Sequence, residues 1–353
     1  MNFCSDNTAG AHRAIVAAIA AAAEGPVMPY GNDDLTRGVE KRLAEIFERD
    51  CAVFLVATGT AANALALSAL APPWGAVYCH PESHVNMDEC GAPEFYSGGA
   101  KLVGVPGAHG KIAAGDLAKV LAGAGAGVVH HVQPAAVSLT QATEAGTVYG
   151  IDEIAAIAEV CRAHKLALHV DGARFANALV RLGSTPAEAT WKAGVDALSF
   201  GATKNGALAA EAVIVFERAK AESLGFRRKR AAQLWSKMRF LSAQMAAYLA
   251  DDLWLANARH ANAAAAELAA GLAGVEGARI EHPVEANEIF VTLPERVIQG
   301  LERDGFKFYR WLTPDSPTLR LVTAFDTEAA HVEAFLASAQ RHAASGGEGR
   351  RRA

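Results

Sequence analysis

The stretch Leu166-Ala-Leu-His-Val-Asp-Gly-Ala-Arg174 reads as a buried strand that ends in an acid, turns at a glycine and delivers an arginine three residues later. Residues 151–163, just upstream, carry helical spacing and open with the capping-type Asp152, so a helix feeds directly into this strand. The same alternation extends in both directions. Short β-rich runs fall at 53–56, 76–79, 101–105, 128–132, 135–139, 166–170, 197–200 and 212–216, with Ala-rich amphipathic stretches at 61–70, 115–121, 151–163 and 186–193 between them. Strands alternating with helices build a mainly parallel sheet covered on both faces, so the pattern predicts a doubly wound α/β domain. After residue 216 the texture changes to a long helical region, 227–272. Strand-like runs then return at 278–280, 289–292, 306–311 and 319–323, which predicts a small α+β domain.

The expected organisation is an N-terminal arm and helix over residues 1–24, a large domain over 25–252, a small C-terminal domain over 253–345 and a disordered tail over 346–353. A chain of 353 residues has room for one large domain and an appended smaller one. With 51% hydrophobic and 20% charged residues it can bury enough apolar surface to fold, which excludes wholesale disorder. The net charge of -5 supplies no basic field for a phosphate backbone, so nucleic acid is excluded as a partner. The apolar run 14–23 is about half the roughly 20 residues a bilayer crossing needs, and no basic segment or cleavage signature precedes it. No membrane partner is expected. Five widely spaced cysteines without a CxxC fit reduced thiols, making the cytoplasm the expected compartment and leaving no metal site.

Three strand ends carry chemistry. Val53-Phe-Leu-Val-Ala-Thr-Gly-Thr-Ala-Ala-Asn63 runs from a strand through a Thr-Gly-Thr turn into a helix. It is either an ordinary capped turn or an anion site, where free amides, two hydroxyls and close approach at Gly59 suit a phosphate. Asp171 ends its strand where open α/β sheets meet their ligands, and there it either caps the turn or holds a heterocyclic nitrogen protonated. Ala197-Leu-Ser-Phe-Gly-Ala-Thr-Lys-Asn-Gly206 brings Lys204 into a turn of small residues that leaves its amine approachable. A phosphate turn, a strand-end Asp and a strand-end Lys on one rim match the needs of pyridoxal phosphate (PLP). Its aldehyde forms a Schiff base with lysine, and its ring nitrogen takes an acidic partner.

These motifs, together with Tyr30-Gly-Asn-Asp33 and Ser83-His-Val-Asn-Met-Asp-Glu-Cys-Gly-Ala-Pro-Glu-Phe95, resemble the low-specificity L-threonine aldolases, which are fold-type I PLP enzymes. The resemblance runs from about residue 3 to about residue 337. It implies that Lys204 is the Schiff-base lysine, Asp171 the partner of the pyridinium nitrogen and Arg174 a donor to the phenolic oxygen. Gly59 and Thr60 match the phosphate turn, Arg239 a basic residue that helps hold the phosphate, and His84 the histidine that stacks on the ring. Arg320, with Ser5 from the N-terminal arm, matches the clamp on the substrate carboxylate, a role suited to a planar guanidinium. Tyr30 matches a residue that reaches the neighbouring subunit, implying a homodimer at least and a tetramer in the usual case.

The resemblance has one gap. Many relatives carry a second active-site histidine in a Thr-His-Asn stretch, where this chain has Thr140-Gln-Ala-Thr-Glu-Ala-Gly146 with Thr143 near that position. The expected base for the β-hydroxyl proton is therefore His84, or a water held by it or by His130 upstream, with His131 beside it. The implied reaction is cleavage of the Cα–Cβ bond of L-threonine, L-allo-threonine and similar amino acids to glycine and an aldehyde. The alternative is a β-eliminating lyase or aminotransferase sharing the Lys–Asp pair. A regulatory PLP-fold protein without turnover is the reading from another class. Two further features are discounted. Gly123-Ala-Gly-Ala-Gly127 follows a helix and precedes a strand, the reverse of a dinucleotide turn, and Arg227-Arg-Lys-Arg230 reads as a solvated face or subunit contact.

Overall fold

A computed structural model describes residues 1–344. The strands of the large sheet are β1 (Ala52–Val56), β2 (Gly75–Cys79), β3 (Lys101–Gly104), β4 (Gln133–Thr140), β5 (Ala167–Gly172), β6 (Ala197–Gly201) and β7 (Glu211–Val215), in the order β1-β7-β6-β5-β4-β2-β3. The β3, β2, β4, β5 and β6 neighbours pair in parallel, while β7 runs antiparallel between β6 and β1. β2, β6 and β7 are buried at every residue, which is why they read as continuous apolar runs.

Helices cover both faces. They are α1 (Arg13–Ala21), α2 (Asp34–Ile46), α3 (Gly59–Leu70), α4 (His84–Met87), α5 (Ala92–Ser97), α6 (Ala114–Ala122), α7 (Ile151–Ala163), α8 (Phe175–Leu182), α9 (Leu224–Arg230), α10 (Arg239–Leu249) and α11 (Leu253–Ala273). On one face Val39, Leu43, Phe47, Ile154, Ile157 and Phe175 pack with Leu168, Val170 and Phe200 of the sheet. On the other, α3 presents Ala62, Leu65 and Ala66 to Val56, Val213 and Val215. Seven consecutive buried residues, Ala62 to Ser68, run through α3, and the small alanines let it lie close to the strands.

A second sheet, β8 (Arg279–Ile280), β9 (Glu288–Thr292), β10 (Tyr309–Arg310) and β11 (Thr318–Val322), is antiparallel in the order β10-β11-β9-β8. Helices α12 (Glu295–Arg303) and α13 (Ala329–Ala344) close its core together with α11, burying Leu268, Leu272, Ile289, Val291, Leu319, Leu321 and Phe335. The N-terminal arm joins this core. Phe3 meets Phe335 edge-on at 5.2 Å between ring centroids, and its backbone bonds Lys307 O and Val322 N. The arm then carries residues 5–7 toward the carboxyl ends of the large-sheet strands.

Two expected elements are corrected. Residues 128–132 form no strand: Gly125 and Gly127 take positive φ, Val128 and His131 donate to carbonyls three residues back, and the Gln133 side chain ties down the turn. Their apolar β-branched composition served only the approach to β4. Residues 186–193 likewise form turns, with only a 3-10 turn at Trp191–Ala193. The helical region 227–272 divides into α9, α10 and α11, with left-handed Ala232, Asp251 and Asp252 at the breaks. The expected tail, 346–353, lies outside the described residues. No helix among those described is long and apolar enough to cross a membrane, and all five cysteines are free thiols.

Candidate active site

The carboxyl ends of β1, β4, β5 and β6 open onto one cavity of about 360 Å³. Gly59, Thr60, His84, Asp171, Arg174 and Lys204 all line it. Thr58 caps α3, its hydroxyl accepting from the Ala61 amide at 3.1 Å, which leaves the amides of Gly59 and Thr60 at the first turn without intrahelical partners. A Cβ placed on Gly59 would meet nothing within 4 Å, so the glycine opens space into the cavity rather than relieving a clash.

Asp171 is buried at the end of β5. One oxygen accepts from Asn63 Nδ2 at 2.8 Å and the other from the Ala173 amide at 3.0 Å. The same Asn63 nitrogen donates to Glu89 at 3.0 Å, and Glu89 Oε1 lies 2.7 Å from Nδ1 of His84. The Glu89 bond raises the proton affinity of His84 above its ordinary value, against the opposing effect of burial.

Lys204 sits in a 3-10 turn, Thr203–Asn205, directly after β6. The turn is locked from behind. Asn205 Nδ2 donates to Tyr248 Oη at 2.8 Å and to Trp254 O at 2.7 Å, while Asn257 donates to Asn205 O. Gly206 ends it at φ +111°, with Asn257 packed so close that a Cβ would stand 2.9 Å away, so only glycine fits. Glu211 accepts from the Ala202 and Thr203 amides, and burial pushes its carboxyl up to about 7. The Lys204 amine itself makes no hydrogen bond or ion pair among the described residues.

Arg174 is buried at the start of α8. Its Nε and Nη2 bind Asp6 at 2.7 and 2.9 Å, and Nη1 lies 3.0 Å from Glu288 Oε2. Glu288 in turn accepts from Arg320 Nε at 2.9 Å and from Arg320 Nη2, and Arg320 Nη1 donates to Cys4 O. Arg320 therefore stands behind the cavity wall, linked to Arg174 through one carboxylate. Ser5 is next to it in the arm, capping the turn that brings Asn7 into the cavity lining.

Other expected residues lie elsewhere. His130 is exposed in the turn before β4, whereas the cavity is at the far end of that eight-residue strand, about 25 Å along at the usual rise. His131 shares the turn. Neither lines the cavity of this chain. Arg239 donates to Gly25 O at 2.8 Å and borders a groove near residues 21–37. Tyr30 is exposed against Lys229, with the amine 4.8 Å from the ring centroid. Neither reaches the cavity within this chain. Thr143 points away, bonding Thr147 and His109 O, and its neighbour Glu144 faces the cavity instead. Sequence reasoning also passed over Asn63, Glu89, Glu211 and Glu288; Asn63, at the end of the Thr-Gly-Thr motif, and Glu89, five residues after His84, lay in quoted stretches, whereas Glu211 and Glu288 had no local signal.

This architecture has close relatives. A family model described as beta-eliminating lyase matches residues 2–296. A low specificity L-threonine aldolase of Pseudomonas aeruginosa is 44% identical over 326 residues, which cover 92% of this chain and 93% of that protein. The chain belongs to the low-specificity L-threonine aldolases. A second family member, from a Pseudomonas strain, is 43% identical over 95% of this chain and 96% of its own. Among solved structures, the threonine aldolase of Leishmania major superposes with a TM-score of 0.90 at 30% identity, covering 96% of this chain and 98% of that one.

The cofactor of this family is PLP, and the cavity fits it. Gly59 leaves a cradle that a Cβ would fill, at a helix N-terminus whose first amides are free for a phosphate. Asp171 is a buried carboxylate bonded only by neutral N–H donors, which leaves its charge available to a protonated ring nitrogen. Lys204 supplies an unpaired amine on the same cavity.

Proposed function

We propose that this chain is a PLP-dependent aldolase that cleaves the Cα–Cβ bond of L-threonine, L-allo-threonine and related L-β-hydroxy-α-amino acids, giving glycine and an aldehyde. The convergence of Lys204, Asp171 and the Gly59–Thr60 turn on one cavity carries the reading, in a chain aligned over nine-tenths of its length with proteins named for that reaction. Lys204 would hold the cofactor covalently, with Asp171 at the ring nitrogen and Arg174 at the phenolic oxygen. The amides of Gly59 and Thr60 would hold the phosphate, and Arg239 would add charge to it from across a subunit boundary. When bound, the cofactor supplies a cationic ring that draws charge from the substrate's Cα.

The chain's own groups then decide which bond breaks. Arg320 and Ser5 border the cavity rather than line it; with the Arg320 guanidinium exchanging Glu288 for the substrate carboxylate, the two would fix rotation about the Cα bonds so that the bond to Cβ is the one aligned for cleavage. His84 would stack on the cofactor ring and, with its proton affinity raised by Glu89, would donate a proton or orient a water. The beta-eliminating lyase description of the wider family leaves room for elimination, but the relatives matching nearly the whole chain are named aldolases. The chain is expected to act as a homodimer or tetramer, a reading supported by exposed Val27, Met28, Tyr30, Phe226 and Trp235 on the side of Arg239. The cytoplasm is supported by the five free thiols, and the division at residue 252 by the two separate sheets.

Incubating the enzyme with L-threonine and assaying products tests the function. Acetaldehyde and glycine in equal amounts are expected. Ammonia with a keto acid would overturn the aldolase reading.

A further inference from the structure

Cleavage of a β-hydroxy amino acid requires a group that accepts the hydroxyl proton; of the two sequence candidates His130 is displaced from the cavity within this chain, and Nδ1 of His84 is already committed to Glu89, which raises its proton affinity. Glu144 lines that cavity beside His84, Asp171 and Lys204. Its Oε1 is fixed, accepting from the His84 amide at 2.7 Å and from Thr140 Oγ1 at 2.9 Å. Its Oε2 is fully buried and has no hydrogen-bond partner. A buried carboxylate oxygen without a partner is a costly arrangement unless a ligand group completes it. Of the other buried acids on or behind the cavity, Glu211 spends both oxygens on amides of the Lys204 turn and Glu288 faces two guanidinium groups, while Glu89, whose Oε2 also has no hydrogen-bond partner, is committed through Oε1 to Asn63 and His84.

We propose that Glu144 is the general base of the aldol cleavage, taking the β-hydroxyl proton on Oε2. The inference rests on the aldolase reading above. In the step, the substrate O–H bond breaks and the proton passes to Glu144, while the O–H electron pair becomes the second C–O bond of the departing aldehyde. The Cα–Cβ bond breaks at the same time, its pair remaining on Cα. The two bonds of Oε1 hold the carboxyl in place, so only Oε2 is presented.

The charge environment suits the task. Burial pushes the Glu144 carboxyl up to about 7, assisted by Asp171 and opposed by the bonds from His84 and Thr140. Arg174, Lys204 and the His84 ring are the basic groups that line the cavity with it. A base poised there is partly ionised near neutrality and strong enough to accept a proton.

The test compares two reactions of the holoenzyme. Glycine has no β-hydroxyl, so solvent exchange of its Cα proton, followed by NMR in deuterium oxide, needs the cofactor and Lys204 but not this base. Glu144→Gln is expected to lower aldehyde release from L-threonine by about 10²–10⁴-fold while glycine exchange and the calorimetric glycine Kd change by less than about threefold. Two buried carboxyls, Glu144 and Glu211, are raised to about 7, so the infrared carboxyl signal titrating near pH 7 in the wild type is expected to fall by one group in Glu144→Gln, with the Glu211 signal remaining. Retained aldehyde release in Glu144→Gln overturns the proposal, and so does equal loss of both reactions, which would make the residue structural. Glu144→Asp, which keeps the carboxylate, is expected to recover part of the cleavage; no recovery beyond the Gln level counts against it. Failure of the wild type itself to release aldehyde while still exchanging glycine would instead strike the aldolase reading.

Discussion

Asn63 donates from one nitrogen to Asp171 at 2.8 Å and to Glu89 at 3.0 Å, and so joins the acid at the end of β5 to the acid that supports His84. One amide from the second turn of α3 thereby sets the position of both. Substituting Asn63→Ala leaves two buried carboxylates short of a donor, and about 1–3 kcal/mol of stability is expected to go with it. Chemical denaturation measures that loss, and a weaker PLP Kd in the same variant checks the link to Asp171.

Gly59 separates cofactor binding from folding. A methyl group at this position meets no protein atom within 4 Å and removes the entropic cost of a helical glycine, so Gly59→Ala is expected to leave the cofactor-free protein as stable as the wild type or slightly more so. The same methyl occupies the phosphate cradle. A PLP Kd raised at least about tenfold, roughly 1.4 kcal/mol, with an undiminished Tm of the cofactor-free form, is the expected pair of measurements.

Asp6 is almost fully buried against Arg174. Burial opposes its ionisation, but the charges of Arg174 and Lys204 and the bonds from Arg174 and Asn287 outweigh that and hold the carboxyl below its ordinary range. A depressed carboxylate stabilises the fold above its unfolded-state value and loses that contribution as pH falls through the folded one. Asp6→Asn is therefore expected to cost about 3 kcal/mol at neutral pH, with Glu288 left as the partner of Arg174. In denaturation series at falling pH, the gap between variant and wild type should close.

His84 titrates in the opposite sense. Its bond to Glu89 raises its proton affinity, so the pair stabilises the fold below the ordinary histidine value and the contribution fades as pH rises through the raised one. Glu89→Gln keeps an acceptor for Asn63 but removes the charge. The imidazole resonance of His84, followed by NMR, should then titrate at lower pH than in the wild type; an unchanged midpoint would show that Glu89 does not control it.

The strand ends were legible because each announces itself locally. A buried apolar run followed by Asp-Gly, by Thr-Gly-Thr or by a lysine among small residues marks the carboxyl edge of a parallel sheet, and all three did come together. His130 misled because residues 128–132 have strand composition, and the positive-φ glycines before them turned the chain over at the wrong edge of β4. The pairings that complete the site had no local pattern. Glu144 meets the amide of His84 sixty residues away in sequence, Asn63 meets Asp171 across 108, and Arg174 meets Asp6 across 168.

The covalent assignment is tested most directly by reducing the PLP-loaded enzyme with borohydride, digesting it and locating the modified lysine by mass spectrometry. Modification of the peptide carrying Lys204, and its loss together with aldehyde release in Lys204→Ala, is the expected result. A label on any other lysine, or a Lys204→Ala variant that still cleaves L-threonine at the wild-type rate, would contradict it.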